Sequence, residues 1–286
     1  MSAQALCGID HLLIVVSDLD RAAATYRRLG FTLSPRAVHS AHMGTTNHTI
    51  MLERDYFELL AVTAPTPANA KWRQALADGE GLAGFAAATA SAAAASAAWR
   101  EAGFAAGDSV AFSRAVGRAG GERTQARFEV VALPAQAVPA MAIFACAQLT
   151  REAVWLPELL DHPNTARAIR KLSIAAPDPL RAVVSWSRAL PGSVRVPSDA
   201  GAQIHFGSHV IDFLDPAAAR RYGFRGPVER AHAIGMEFEV TNPGVCRETL
   251  IRGGLSWEQR GHLTCVASDD ASGVAIAFAP VGAPLA

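Results

Sequence analysis

Two residues with acid–base side chains lie inside apolar, β-rich stretches of this sequence. His11 is part of the run DHLLIVV, and Glu58 is part of the run YFELLAV. An imidazole beside a carboxylate can act as an oriented general base. The same two groups can also form a hydrogen-bonded pair in a partly buried cleft without any chemistry. Either outcome requires the two runs to be neighbouring strands. The elements predicted around them therefore determine whether the two side chains can meet.

The other reactive residue types form no recognisable catalytic motif. The four cysteines are far apart and include no CxxC pair, so neither a zinc ribbon nor a disulfide framework is indicated. We expect free, buried thiols in a reducing cytosol. A P-loop, a GxGxxG loop and a nucleophile elbow are also missing from the sequence.

The composition is that of a folded globular protein. Of the 286 residues, 50% are apolar and 18% are charged, which argues against disorder. The length favours one large domain or two medium ones. Lys plus Arg equals Asp plus Glu at 26 each, so no electrostatic footprint for nucleic acid or an anionic membrane is present. A local pocket can still be charged when the net charge is zero, so the composition does not argue against a small anionic substrate.

No targeting or membrane-spanning segment is indicated. The first residues, MSAQALCGIDHLL, lack a basic region followed by an apolar one, so we expect no signal peptide. The Ala-rich run 83–98 contains Thr89, Ser91 and Ser96, and it is too short to span a bilayer. We therefore predict a cytoplasmic protein.

One pattern of local signals occurs four times along the chain. In the stretch 10–31, an apolar strand is followed by Asp18 as a helix N-cap and by Gly30 as a helix stop. The same order recurs without gaps in three further stretches, with small departures at the helix ends. These stretches are 84–104, 170–192 and 235–255. The sequence therefore predicts an internal repeat.

Each copy leaves room for three short strands after its helix, so the predicted unit is βαβββ. The predicted final strand pairs are 47–52 with 56–62, 127–133 with 140–147, 202–206 with 209–214, and 262–267 with 274–278. A small sheet with one helix cannot cover both of its faces, so modules should pair into shared, curved sheets. Pairing within a domain and exchange across domains are both open.

The domain boundary is predicted in the segment TREAVWLPELLDHPN, which contains Trp155 and two prolines and lacks Gly/Ser repeats. We predict a first domain at 7–150 with modules 7–64 and 82–150, and a connector at 151–168. The second domain is predicted at 169–282, with modules 169–216 and 230–282.

Paired βαβββ modules that begin with DHLLIVVSDLD and end with YFELLAV resemble the vicinal-oxygen-chelate superfamily of glyoxalases, bleomycin-resistance proteins and dioxygenases. The chain is most similar to glyoxalase-like domain proteins of the Glyoxalase_3 type. The resemblance implies an α+β fold: four βαβββ modules that form two paired-module domains with curved mixed sheets. The motifs that carry it are Gly44, Thr45 and Asn47, then Tyr56, Glu58 and Leu59, then the connector from Leu149 to Asn164.

The resemblance also implies a divalent metal, held by a His on the first strand and a Glu on the last strand of a module. His11 and Glu58 match those positions, and such a mixed ligand set suits Zn, Ni, Fe or Mn. Two ligands rarely hold a metal, so a third is sought. His48 is the best candidate if its strand register turns it inward, followed by His42 or Gln148.

Thr45 and Asn47 are candidates for substrate contact, although Gly44-Thr45-Thr46-Asn47 is also typical of a turn that leads into a strand. His162, in the connector, is expected to form a turn or an interdomain hydrogen bond.

The alignment of the copies tests the metal site in the other modules. Gly84, Lys171 and Gly235 align with His11, whereas Ala145, Asp212 and Ala277 align with Glu58. A protonated lysine cannot bind a metal, so Lys171 and Asp212 are predicted to form an ion pair. We accordingly expect no metal in the second domain.

Two functions follow from these residues. The first is a metal-dependent lyase, isomerase or dioxygenase that acts on a small oxygenated compound, with His11 and Glu58 as metal ligands or as a metal-free acid–base pair. The second is a non-catalytic, drug-sequestering protein of the same fold. The missing ligands favour the second, and the retention of both residues in one module favours the first. The partners expected are a small-molecule ligand and a second copy in a homodimer, with no nucleic acid or membrane.

Overall fold

The chain forms two eight-stranded sheets in a computed structural model that describes residues 4–117, 123–135, 137–198 and 201–285. The first sheet contains β1 (Ile9–Val16), β2 (Ala37–Val38), β3 (Thr45–Met51), β4 (Tyr56–Val62), β5 (Gly81–Ala88), β6 (Val110–Gly117), β7 (Arg123–Ala132) and β8 (Ala142–Gln148). Its helices are α1 (Leu19–Arg28), α2 (Ala70–Ala77) and α3 (Ala92–Glu101).

The second sheet repeats this arrangement. Its strands are β9 (Ala166–Ala175), β10 (Val194–Ser198), β11 (Gly201–Phe206), β12 (His209–Leu214), β13 (His232–Val240), β14 (Glu258–Arg260), β15 (Leu263–Val266) and β16 (Ala275–Pro280). Its helices are α4 (Pro179–Ala189), α5 (Pro216–Tyr222) and α6 (Pro243–Arg252). None of the helices in the described ranges is long and apolar enough to cross a membrane.

Modules pair within each sheet. The strand orders are β2-β3-β4-β1-β5-β8-β7-β6 and β10-β11-β12-β9-β13-β16-β15-β14. In each sheet, the first strand of a module is parallel to its last strand, and the two first strands meet antiparallel at the centre. The predicted α+β fold with four βαβββ modules and curved mixed sheets is confirmed. Helices α2 and α5 were not predicted, and each lies between two modules.

Local sequence signals explain why each module helix begins and ends where it does. A side chain caps each helix by accepting a hydrogen bond from the backbone N–H three residues later. These caps are Asp18, Ser91, Asp178 and Asn242. Each helix is followed by a glycine with positive φ, a conformation that costs glycine little. These glycines are Gly30, Gly103, Gly192 and Gly254.

Strand alternation divides each sheet into a concave and a convex face. On β1, Leu12, Ile14 and Val16 belong to a large core that also contains the helices and the convex face of the other sheet. Aromatic rings cross between the halves within this core. The centroids of Phe31 and Phe238 are 5.1 Å apart, and those of Phe85 and Trp186 are 5.3 Å apart. The two sheets therefore share one core, and the predicted boundaries of two separate domains stay a prediction.

A buried polar contact also joins the two halves. His209 Nε2 lies 3.1 Å from Asp55 Oδ2, while Asp55 Oδ1 accepts a hydrogen bond from the backbone N–H of Ile169. His209 Nδ1 accepts from the backbone N–H of Ile9, so the ring proton is on Nε2 and is donated to Asp55. Burial raises the pKa of the Asp55 carboxyl, and the hydrogen bonds oppose this shift.

The segment between β8 and β9 packs against the first sheet. It contains two short 3₁₀ turns, Arg151–Ala153 and Pro157–Leu159. Trp155 Nε1 donates to the carbonyl of Leu52 at 2.8 Å. Within the same segment, His162 lies between Thr32 N–H, from which Nδ1 accepts, and the carbonyl of Met51, to which Nε2–H donates.

Candidate functional site

The structure brings His11 and Glu58 together on the concave face of the first sheet. Because β1 and β4 are parallel neighbours with His11 opposite Tyr56, Glu58 lies two residues further along on the same face. His11 Nε2 is 3.4 Å from Glu58 Oε1, and both side chains are at least nine-tenths buried. We call this concave face, around His11, Glu58 and Cys146, the first hollow.

Asp10 reaches the same hollow through a β-bulge. Ile9 is opposite Ala87 and His11 is opposite Ala86, so Asp10 is an extra residue between two paired positions. A bulge re-aims a side chain that alternation alone would send to the other face. Asp10 Oδ2 accepts a hydrogen bond from His11 Nδ1–H at 2.6 Å. This bond places a proton on Nδ1, and Nε2 faces Glu58.

Two amide side chains complete a hydrogen-bonded chain through the hollow. Gln148 Nε2 donates to Asp10 Oδ2 at 3.0 Å, and Asn47 Nδ2 donates to Glu58 Oε2. Since each amide nitrogen is held by a carboxylate, the amide oxygens point away from these acids. Asn47 Oδ1 and Gln148 Oε1 are buried and have no hydrogen-bond partner among the described residues. Both oxygens can accept a hydrogen bond from a ligand.

Aromatic rings hold the His11 imidazole in place. Tyr56 stacks on it with centroids 4.4 Å apart and an interplanar angle of 18°, and Phe144 approaches edge-on at 5.3 Å. Trp155 packs against Tyr56 at 5.4 Å. Burial is the main cause of the raised pKa of the Tyr56 phenol, with added repulsion from the acids. The rings restrict the imidazole to one orientation and keep water away from it.

The structure does not bring His48 to this pair. His48 is opposite Leu59 and therefore lies on the other face of the sheet, where its Nδ1–H donates to the carbonyl of Ser34 at 2.7 Å. The register is one residue away from the one that a third ligand requires. The prediction of His48 as a metal ligand was therefore wrong. His42 is exposed in the turn before β3 and lies outside the hollow.

The Gly44-Thr45-Thr46-Asn47 stretch is mostly strand. Only Gly44 has the positive φ of a turn, +58°, and β3 begins at Thr45. Thr45 Oγ1 lies 2.7 Å from His39 Nδ1. Burial lowers the pKa of His39, whereas the nearby Glu58 charge opposes this shift. Thr45, Asn47 and His39 therefore form one side of the first hollow.

The donor atoms of His11 and Glu58 fit a divalent metal. Two ligands of one ion, each at about 2.1 Å, are separated by roughly 3.0–3.4 Å. The measured 3.4 Å lies at the upper end of this range and is long for a hydrogen bond. A metal-binding imidazole also commonly donates its other N–H to a carboxylate, as His11 does to Asp10. Among the described residues, this set has two protein ligands, and two ligands rarely hold a metal, so water or a chelating substrate would have to supply the remaining coordination positions.

A second possible ligand set is less suitable. Donor atoms of Asp10, His11 and Cys146 lie within 4.8 Å of one another. Burial, followed by the charges of Asp10 and Glu58, strongly raises the pKa of the Cys146 thiol. A metal binds the thiolate rather than the thiol, so Cys146 is a poor ligand in this surrounding.

The second module places no ligand in the first hollow. Gly84 is opposite Ala142 as His11 is opposite Tyr56, so Phe144, rather than the aligned Ala145, is the counterpart of Glu58. Trp72 of α2 covers Gly84, where an added Cβ would lie 3.0 Å from the ring and 2.8 Å from Leu13 Cδ1. The loop lengths differ between modules, which explains the shift by one residue.

The concave face of the second sheet holds a cluster of paired charges, which we call the second hollow. Lys171 Nζ lies 3.8 Å from Asp212 Oδ2, as the sequence predicted, and 3.7 Å from Glu237 Oε2. Arg170 lies at the same bulge position as Asp10, and its Nε is 2.9 Å from Glu237 Oε1. Burial raises the pKa of Asp212, and Lys171 opposes this shift.

An aromatic residue also covers the glycine of the fourth module. Tyr222 of α5 packs over Gly235, where an added Cβ would lie 2.5 Å from the ring. Burial raises the pKa of the Tyr222 phenol well above its usual value, and Glu237 adds to this shift. In both halves, the helix between modules therefore fills the position of the second module's first-strand ligand.

Sequence reasoning missed Asp10 because alternation assigns it to the face opposite His11. The only signal was its position directly before His11 in an apolar strand. It missed Cys146 and His39 because no spacing connects them with His11.

Comparisons with known proteins agree with this geometry. The profile of a family described as a glyoxalase-like domain matches residues 9–190, which is more than half of the chain. Among solved structures, a hypothetical protein from Staphylococcus aureus has a TM-score of 0.68 at 11% identity, covering 96% of this chain and 99% of the other. The comparison with curated proteins gave no match.

Two further solved structures share the fold. A mutant of 4-hydroxymandelate synthase from Streptomyces coelicolor has a TM-score of 0.61 at 10% identity, with 99% of this chain and 94% of the other covered. The Mn(II)-bound glyoxalase from Novosphingobium aromaticivorans has a TM-score of 0.57 at 12% identity, with 97% and 83% covered. At these identities, the likeness shows a shared fold and nothing further.

Proposed function

This chain belongs to the glyoxalase-like domain family, and from that premise we propose that it is a metal-dependent enzyme acting on a small oxygenated compound. The observation that carries the proposal is the chain of contacts Asp10–His11–Glu58, in which one imidazole nitrogen is held by a carboxylate and the other points to a second carboxylate. The same arrangement of imidazole and carboxylates orients a histidine that binds a metal.

His11 and Glu58 would hold the metal. Nitrogen and carboxylate ligands suit Mn, Fe, Ni or Zn, and one structural neighbour is a Mn(II)-bound glyoxalase. When bound, the ion supplies a Lewis acid next to the substrate. Lyase, isomerase and dioxygenase activities all remain proposals within this class.

The remaining residues of the first hollow orient these two ligands and the substrate. Asp10 keeps the proton of His11 on Nδ1, and Asn47 fixes one oxygen of Glu58 so that the other faces His11. The free Asn47 Oδ1 is a hydrogen-bond acceptor for a substrate hydroxyl, and Thr45 adds a hydroxyl on the same strand. Tyr56 and Phe144 exclude water from the imidazole.

A non-catalytic binding protein is the second candidate. It is favoured by the absence of ligands from the second module, where Gly84 and Phe144 stand at the two ligand positions. In that case, His11 and Glu58 would be a polar pair at the base of an aromatic pocket. A cytoplasmic location and a homodimer are further proposals for either function.

Metal analysis of purified protein tests the proposal. We expect about one equivalent of Mn, Fe, Ni or Zn in the wild type after incubation with the ion, and loss of the metal in His11→Ala. His48→Ala is the matched control, because His48 is also buried but lies on the other face of the sheet. If the wild type binds none of these ions, the metal-dependent enzyme is excluded and the binding protein is favoured.

A further inference from the structure

We propose that the first hollow takes a small anionic ligand, an apolar or aromatic body that carries one carboxylate, and that Arg114 selects its charge. This inference rests on the proposed function, because it names the substrate class of the same site. It depends on which charges in the hollow have partners and which have none.

Arg114 extends into the first hollow from the edge strand β6. It is opposite Ala126 in the antiparallel β6–β7 pair, and directly opposed residues share a face of the sheet. Ala126 is buried in a cluster with Met51, Tyr56 and Cys146, which belong to the concave face. The Arg114 guanidinium lies 5.8 Å from the centre of the Phe128 ring.

The surroundings of Arg114 place it within electrostatic reach of the His11 site. Burial lowers the pKa of His39, Glu58 opposes this shift, and the nearby Arg114 charge adds to it. The Arg114 charge also opposes the upward shift of the pKa of Tyr56, the residue that stacks on His11. The guanidinium therefore lies near the site, yet it forms no hydrogen bond or ion pair with any residue that the structure describes.

A second cation lies at the rim of the hollow. Lys71 Nζ is 4.6 Å from the centre of the Trp72 ring and 5.9 Å from that of Phe144. Phe144 in turn contacts His11. No carboxylate in the described part of the chain pairs with Lys71. The hollow thus has two cations over aromatic rings, and neither forms an ion pair with an acid in the described ranges.

The acids of the hollow are hydrogen-bonded to other side chains, and in the described part of the chain neither of them forms an ion pair with Arg114 or Lys71. Asp10 binds His11 and Gln148, and Glu58 binds Asn47 and faces His11. An anionic ligand would be repelled by both acids and attracted by Arg114. Its charged end should therefore lie at Arg114, with its apolar body on the aromatic wall next to His11.

Arginine and carboxylate have matching planar geometries. A guanidinium can donate two parallel hydrogen bonds to one carboxylate, and a partly buried pair is stronger than an exposed one. In the second hollow, by contrast, Arg170 and Lys171 each have a carboxylate neighbour. Of the two hollows, as far as the described residues go, the first has cations that are not paired with a carboxylate.

Binding of benzoate and its neutral isostere benzamide tests the inference, with calorimetry on protein treated with EDTA and on metal-loaded protein. We expect the wild type to prefer benzoate by at least about tenfold, which corresponds to about 1.4 kcal/mol. Arg114→Gln should abolish the preference, and Arg114→Lys should retain part of it. Added salt should weaken benzoate binding and leave benzamide binding unchanged.

Arg100→Gln is the matched control, because Arg100 is a partly exposed arginine of α3 that pairs with Asp108. Equal binding of the two probes, no binding of either, or a preference that survives Arg114→Gln would each overturn the inference. Charge preference in the EDTA-treated protein does not require a metal, so it can hold even if the metal proposal fails. Metal binding without charge preference would refute this inference alone.

Discussion

The two hollows have the same backbone and opposite chemistry. Each central strand has a β-bulge at the same place, and the two residues at that bulge are Asp10 and His11 in one half and Arg170 and Lys171 in the other. In the first hollow, an imidazole lies between two carboxylates. In the second, two cations lie against Asp212 and Glu237. The two halves therefore differ at this dipeptide and at the acids around it: the first places an imidazole between carboxylates, and the second places two cations in an internal cluster of ion pairs.

The difference shows which features belong to the fold and which to a function. Both halves cover a glycine with an aromatic residue from an inserted helix, Trp72 over Gly84 and Tyr222 over Gly235. This feature is shared, so it serves packing. The first hollow has an imidazole whose second nitrogen faces a carboxylate, and it has two cations that pair with no acid among the described residues. These groups are the ones that a bound ligand could contact.

The largest expected effect is on the stability of the second hollow. Lys171→Met leaves Asp212 and Glu237 buried with one cation fewer, and breaking a buried ion pair in this way costs about 3–5 kcal/mol. Urea unfolding should show this loss. Lys171→Met combined with Asp212→Leu should recover part of it, because an apolar pair can replace a buried ion pair. A cost near zero for the single variant would mean that the cluster is not structurally required.

Asp10→Asn should produce the next effect, in the first hollow. An asparagine cannot hold the Nδ1 proton of His11 as a carboxylate does, so Mn or Zn affinity should fall by roughly 10–100-fold. Titration calorimetry on the folded variant measures this. The control is Asp20→Asn, which removes an exposed carboxylate on α1. Unchanged affinity would show that Asp10 does not position His11.

The sequence alone predicted the Lys171–Asp212 ion pair but did not predict the position of Asp10. The alternation of strand residues, the helix caps and the glycine stops predicted the βαβββ modules. The neighbouring positions of β1 and β4 then brought His11 and Glu58 together. The bulge at Asp10 could not be predicted, because an extra unpaired residue leaves no periodic signal. The face of His48 depended on a one-residue register, and Phe144 replaced Ala145 because the loop lengths differ.

Replacing the glycines under Trp72 and Tyr222 should have a smaller effect on stability. The two replacements compare how tightly each aromatic ring packs on its glycine. Gly235→Ala would place a Cβ 2.5 Å from Tyr222 and 2.6 Å from a backbone oxygen, and Gly84→Ala would meet Leu13 at 2.8 Å. Overpacking of this kind should cost roughly 1–2 kcal/mol, with the larger loss at Gly235. Thermal unfolding measures both. Gly107→Ala is the control, because nothing lies within 4 Å of its added Cβ; equal losses in all three variants would contradict the prediction.

The smallest effect expected is a dependence on pH at the connector, which belongs to the first half. Burial lowers the pKa of His162, which binds the connector to Thr32 and Met51. Its stabilising contribution is present above the ordinary histidine pKa and is lost as the pH falls through the lowered value. Trp155 fluorescence should report loosening of the connector on acidification. The same curve in His162→Gln would assign that change to other groups.

The shared core makes the two halves depend on each other. Phe31 and Phe85 of the first half pack directly on Phe238 and Trp186 of the second, and the Asp55–His209 contact lies between them. Removal of either half would expose the apolar surface on which the other half packs, so the second half supports the first hollow from behind although its own concave face has different chemistry.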